Sequence, residues 1–317
     1  SGDMLVAALL DMGADYEKLT KVLHSLEVKG FQTQMSRVKK SGLDMCDFLV
    51  KLDEAHENHD HDMAYLHGHE HHEHEHHHDH DHEHEHEHHH DHAHHHEHEH
   101  SHHHHHHEHR GMGEIRHIIH HSDMSEEAQK LALKIFQVLA EAEAKAHGAD
   151  VEQVHFHEVG AVDSIVDIVS IAVCMESLAI DDVVVDTLVD GHGTIRCQHG
   201  IMAVPVPAVT HIVADNGLKL RLSHVEGELV TPTGAAAAAA LRTMDKLPAS
   251  YRVAGVGMGA GKREYEVPTF LRLLLLEAET ELPEDEILKI ETNIDDSNGE
   301  TLGLVQELLL SAGALDV

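Results

Sequence analysis

Four residues near the middle of the chain have types and spacing suited to metal chemistry. His155-Phe156-His157-Glu158 is followed by Asp163 and Asp167. On a strand, side chains alternate with period two, so His155 and His157 point to one face. Asp163 and Asp167 are spaced i,i+4, and on a helix they share a face. Two imidazoles and two carboxylates converging this way suit a borderline divalent ion such as Ni²⁺, Zn²⁺ or Mn²⁺. The same spacing also suits partly buried histidines bonded to local backbone beside capping or solvated aspartates.

A second constellation is Gly191-His192-Gly193-Thr194-Ile195-Arg196-Cys197-Gln198-His199-Gly200. His192, Cys197 and His199 offer soft and borderline donors, and the glycines let backbone approach a ligand closely. Cys197 as a nucleophile would need a base such as His199, whereas a turn built from glycines accounts for the stretch without chemistry. Ser1-Gly2-Asp3 and Thr231-Pro232-Thr233-Gly234 each stand before an apolar run. Free N–H groups and the helix dipole there attract anions such as phosphate, and ordinary helix caps look the same.

From His56 to His109 the chain holds 31 His and 15 Asp or Glu with no Lys or Arg. The only apolar residues are Met63, Ala64, Tyr65, Leu66 and Ala93, too few to offset ordering entropy, so the segment reads as a disordered insert. Its H-E-x-x-H matches, such as His72-Glu73 with His76, follow from composition alone, since no amphipathic helix holds them. Irregular interleaving with acids separates it from a purification tag and marks a metal-collecting segment.

The elements that must position these residues are mostly legible. MLVAALLDMG is an apolar helix ended by Gly13, and a second helix covers Tyr16 to Leu26. FQTQMSRV and CDFLVKLD alternate as strands. GMGEIRHIIHH suits a short helix. SEEAQKLALKIFQVLAEAEAKAHG suits a longer one, capped by Ser125, with Leu131, Ile135, Val138, Leu139 and Ala142 in one stripe before Gly148. VHFHEV then reads as a strand entering an apolar helix, with DDVVVDTLVDGHG as a buried strand beyond it. VPVPAV reads as rigid and extended, TPTGAAAAAALRT as a helix, and VGMGAGKREYEV as a Gly-rich turn feeding a strand. ETELPEDE reads as a linker, and ILKIETNIDDSNGETLGLVQELLLSAGALDV as strand, loop and helix.

This succession predicts an α/β fold with at least one crossover unit: a mixed sheet with flanking helices, the disordered insert and the start of a second α+β domain. The expected divisions are 1–55, the insert 56–109, the remainder of the α/β domain at 110–280, and a C-terminal domain beginning at 285–317. The lack of an initiator Met predicts an upstream piece.

The net charge is −36, and −21 without the insert's −15. That acidity argues against nucleic acid and anionic membranes and favours divalent cations as partners. No apolar run approaches the roughly 20 residues needed to span a bilayer. Three cysteines at unrelated spacings make no disulfide framework. A cytoplasmic protein is expected.

SGDMLVAALLDMG, VHFHEVGAVDSIVDIV, GHGTIRCQHGIMAVPVPA, EGELVTPTGAA, VGMGAG and ETNIDDSNGETLG occur in that order. Together they resemble the nickel-insertion protein LarC family over nearly the whole chain outside the His tract. The resemblance implies a nickel insertase, a cyclometallase of the lyase class, that builds the nickel pincer cofactor of lactate racemase. It would insert Ni²⁺ into pyridinium-3,5-bisthiocarboxylic acid mononucleotide, forming nickel–sulfur and nickel–carbon bonds with CTP and Mn²⁺ or Mg²⁺. The family usually begins with a strand and Gly-rich turn before SGDM, and its nucleotide-binding region lies mainly beyond GALDV. Apo lactate racemase or a related enzyme is the implied recipient. The family's PVPAPAT stands here as Pro205-Val206-Pro207-Ala208-Val209-Thr210, one proline fewer.

Two functions remain open on this reading. In the first, the tract concentrates nickel for a folded site of His155, His157, Asp163 and Asp167, with His192, Cys197 and His199 as a second cluster. Ser1, Gly2, Arg196, Thr231, Thr233 and Gly234 then hold the substrate phosphate. In the second, the protein is a nickel store or metallochaperone acting through the tract alone.

Overall fold

The computed structural model describes residues 1–53, 111–154, 162–197, 200–278 and 288–317. The His-rich insert, the expected strand VHFHEV beyond Val154 and the acidic linker lie outside them. The chain forms two compact units, Ser1–Ala278 and Glu279–Val317.

The first unit is mixed α/β. A four-stranded sheet runs in the order β1 (Phe31–Lys40), β2 (Leu43–Leu52), β7 (Tyr251–Ala260), β8 (Phe270–Ala278). The outer pairs are antiparallel, and β2 and β7 are parallel with Cys46 opposite Gly259. Two smaller ladders complete the strands. β3 (Leu188–His192) pairs in parallel with β6 (Leu220–Glu226), and β4 (Thr194–Cys197) forms a hairpin with β5 (Gly200–Ala203).

Helix α1 (Gly2–Asp11) is apolar on every side, which suits a helix enclosed by other elements. It packs on β2 and β7 on one side and on α5 (Val162–Ser177) on the other. Its approach to the sheet is made possible by glycines. A Cβ on Gly259 would lie 1.9 Å from the Met4 carbonyl oxygen, and one on Gly257 2.1 Å from that of Ala8. VGMGA is therefore part of strand β7, not the Gly-rich turn its composition predicted; the glycines serve close packing, not reversal.

Helix α2 (Tyr16–Ser25) is capped by Asp15, whose Oδ1 accepts from Lys18 N at 2.9 Å. Met112–His120 forms α3. Helix α4 (Glu126–His147) opens on Ser125, which accepts from Ala128 N, and closes on left-handed Gly148, as the capping residues predict. Its Ile135, Leu139 and Ala142 are buried, with Phe136 and several alanines beside them against α5, α6 (Pro207–Asp215) and α7 (Pro232–Leu241).

Two further expectations change. VPVPAV is extended only to Val206, because Pro207 occupies the first turn of α6, where a missing N–H costs nothing. In DDVVVDTLVDGHG the ladder covers only Leu188–His192, preceded by an isolated bridge between Val184 and Met244. The parallel crossover therefore falls between β3 and β6, through α6.

In the second unit, Asn298 caps α8 (Gly299–Ser311) by accepting from Thr301 N at 2.9 Å. Residues 288–292, the described part of the ILKIET stretch expected as a strand, have no ladder partner among the described residues and are irregular. No described helix is long and apolar enough to cross a membrane.

Candidate functional site

Three helices of the first unit begin at one corner of a broad groove. Thr231 caps α7, its Oγ1 accepting from Gly234 N at 3.3 Å. Ser1, at the start of α1, meets it across 230 residues of sequence, with Ser1 Oγ 2.7 Å from Thr231 Oγ1 and accepting from Thr231 N at 3.4 Å. A Cβ on Gly234 would lie 2.0 Å from Ser1 Oγ, so only glycine lets the two helix starts meet this closely. Gly2 does the same against α5, where a Cβ would lie 2.4 Å from Asp167 Oδ2.

The charges at this corner are mixed. Lys262 Nζ, just past β7, lies 2.9 Å from Asp3 Oδ2 and donates to the Phe48 carbonyl at 2.8 Å. Burial works to raise the Asp3 pKa. The charge and hydrogen bond of Lys262, with the Met4 N–H, work against it and hold the carboxyl below the ordinary value. Asp167 goes the other way. Burial, then the charges of Asp3 and Asp163, push it well above the ordinary carboxylate value, and Lys262 offsets this only in part. Its Oδ1 is buried and has no hydrogen-bond partner among the described residues. A cation beside it would stabilise the charged form that burial disfavours.

Behind the corner, Asp190 on β3 is fully buried. Its Oδ1 accepts from the backbone N–H groups of Gly191 at 2.8 Å, Leu229 at 2.8 Å and Val230 at 3.0 Å. Two residues on, the His192 ring lies with Nδ1 3.0 Å from the Val225 carbonyl. A carbonyl only accepts, so Nδ1 carries the proton and Nε2 is the nitrogen able to bind a metal. On the β4–β5 hairpin, Ile195 and Cys197 are partly buried and Arg196 is exposed, so Arg196 and Cys197 face opposite sides of the ribbon. Cys197 Sγ lies 3.2 Å from Met202 Sδ, which sets a thiol and a thioether side by side.

The sites expected from sequence thus divide. Ser1, Gly2, Thr231 and Gly234 come together, with Thr233 buried in the first turn of α7 and Asp167 at their edge. Asp163 and Asp167 share the start of α5. His155, His157 and His199 lie outside the described residues. Among the described residues no three His, Cys, Asp or Glu side chains gather closely enough to hold a metal ion. Asp163 with Asp167, or His192 with Cys197, would need donors from the undescribed stretches to complete a set.

Sequence reasoning named Asp3 only as part of a helix start and missed Lys262, Asp190 and Met202. Lys262 carried a readable signal, a basic residue straight after a Gly-rich run. Asp190 carried none, because its partners are backbone groups about 40 residues away. The other two thiols are unsuited to chemistry, since burial pushes Cys46 up to about 11 and Cys174 up to about 12.

Comparison with known proteins adds a family to this geometry. The family model described as "Nickel insertion protein" matches residues 1–317. The pyridinium-3,5-bisthiocarboxylic acid mononucleotide nickel insertion protein of Alkaliphilus metalliredigens is 44% identical over 100% of this chain and 71% of its own length. Proteins of the same name from Akkermansia muciniphila and Acetivibrio thermocellus are 37% and 35% identical, each over 100% of this chain and 68% of its own. No solved structure matches.

Proposed function

The chain belongs to the nickel insertion protein family, and from that premise we propose that it inserts Ni²⁺ into pyridinium-3,5-bisthiocarboxylic acid mononucleotide. The observation that carries this reading furthest is the meeting of the α1 and α7 starts at Ser1 and Thr231. Helix starts present first-turn N–H groups and a favourable dipole, and here two such ends stand beside hydroxyls and small residues, with Lys262 paired to Asp3 at their edge. This is the chemistry a mononucleotide phosphate requires. Ser1, Gly2, Thr231, Thr233 and Gly234 would hold it, with Arg196 approaching from the hairpin.

Nickel is the second substrate. His155, His157, Asp163 and Asp167, followed by His192, Cys197 and His199, would pass it toward the thiocarboxylate sulfurs. Borderline imidazole and carboxylate donors release nickel to softer sulfur, so a transfer in this direction is favoured. Met202, next to Cys197, suits the softer end of that path. The histidine tract from His56 to His109 would serve as reservoir. Many imidazoles on one chain raise local ligand concentration without fixing a geometry.

The finer reading includes a lyase-class cyclometallation, CTP with Mn²⁺ or Mg²⁺, and delivery to lactate racemase or a related enzyme in the cytoplasm. The described residues gather no donor set for that second metal, and no step here runs through it. A second reading, nickel storage through the tract, is favoured by the tract's composition alone.

The test is to incubate full-length protein with the mononucleotide, Ni²⁺, CTP and Mg²⁺ and to follow the mononucleotide by mass spectrometry. Insertion predicts a nickel-bearing product that survives removal of the protein. Nickel found only on the protein, with the mononucleotide unchanged, would favour storage.

A further inference from the structure

Asp190 has no role in the reading above, yet it is the most completely buried carboxylate among the described residues, at 0% exposure. A carboxyl group in such a place is costly unless its oxygens are hydrogen-bonded. One oxygen is well supplied, with three backbone donors at 2.8–3.0 Å. Oδ2 is buried with no partner among the described residues. Two of the three donors, Leu229 and Val230, belong to the segment that delivers Thr231 to the start of α7.

That segment is held from the other side as well. The Tyr265 hydroxyl donates to the Glu228 carbonyl at 3.1 Å, and Arg263 Nη1 lies 3.7 Å from Glu228 Oε2. Gly227, at φ +123°, lies so close to Tyr265 that a Cβ would come within 2.8 Å of its ring. On the strand side, a Cβ on Gly191 would lie 1.8 Å from the Gly227 carbonyl oxygen. Asp190 therefore joins strand β3, which carries His192, to the segment that ends in Thr231.

We infer that Asp190 is a positioning residue for substrate binding: through the N–H groups of Leu229 and Val230 it sets where Thr231 and the α7 start meet Ser1. The inference rests on the phosphate reading of that corner. Removing the carboxylate lets residues 227–231 move while the packed helices stay in place. Affinity for a pyridinium mononucleotide should then fall more than the fold weakens.

The experiment uses full-length Asp190→Asn, which keeps the shape but weakens charge-assisted hydrogen bonds. The probe is nicotinic acid mononucleotide, a sulfur-free pyridinium mononucleotide, with amide hydrogen exchange measured in parallel. The expected result is binding weaker by roughly tenfold, as for other residues acting behind a first contact. In the insertion assay KM rises with kcat near wild type. Exchange at Leu229 and Val230 speeds up, and exchange in α4 does not. A variant that loses active protein while keeping wild-type KM and wild-type exchange at these two amides overturns the inference.

If wild type does not bind the probe, the phosphate reading fails, and exchange alone then decides the role of Asp190 in holding the segment. Should Asp190→Asn not fold, Tyr265→Phe releases Glu228 from the opposite side. It should weaken probe binding by a smaller factor, and unchanged binding would overturn the inference.

Discussion

At the scale of single residues, two carboxylates at the same corner have opposite dependence on pH. Asp3 is held below its ordinary value near 3.8, so its contribution to stability is complete above that value and is lost as pH falls through its folded value. Asp167 is raised, so the folded chain holds its proton more tightly than the unfolded chain does. Stability therefore falls as pH rises from about 4 through its folded value. Asp167→Asn should raise the melting temperature at pH 8 and do little at pH 4, as read by thermal melts at both values. Equal effects at both would show that Asp167 is not a buried carboxyl under strain. The contact between Gly234 and Ser1 gives a second prediction. Gly234→Ala should cost about 1–3 kcal/mol through overpacking, and adding Ser1→Gly should recover much of it, with urea unfolding of the double mutant measuring the coupling.

At the scale of elements, α1 depends on the glycines of β7. Gly259→Ala would set a Cβ against the Met4 carbonyl oxygen at 1.9 Å, so helix or strand must shift. A loss of about 2–3 kcal/mol is expected, at the upper end for an overpacked core. Gly255→Ala on the same strand meets only the Leu275 side chain at 3.5 Å and should be tolerated; denaturant midpoints of the two variants should separate clearly. These glycines also mark how far sequence reading reached. Helix α4 was legible end to end, because Ser125, its apolar stripe and Gly148 are local signals. Gly257 and Gly259 were not, because their partners are carbonyls some 250 residues away. ILKIET failed for a related reason: alternation proposes a strand, but only a neighbouring strand can complete one. At the site, each helix start was readable alone, whereas the meeting of Ser1 with Thr231 exists only in the fold. The residue linking them to His192, Asp190, has no pattern that spacing could reveal.

At the scale of the whole molecule, the proposed function assigns collection and chemistry to different parts of the chain. Metal competes with protons for neutral imidazole, so nickel loading of the tract should fall steeply below about pH 6.5, as read by equilibrium dialysis from pH 8 to pH 5. Unchanged loading at pH 5 would exclude imidazole as the main ligand. If sulfur of the substrate, not histidine of the tract, is the destination as proposed, the tract should govern how much nickel is needed rather than whether insertion occurs. The most direct test is nickel insertion into the mononucleotide by full-length protein with residues 56–109 deleted, measured across a nickel titration. The account predicts that the deleted protein reaches the wild-type yield at ample nickel and falls behind only when nickel is scarce. A folded deletion protein that makes no nickel-bearing product at any nickel concentration would contradict it.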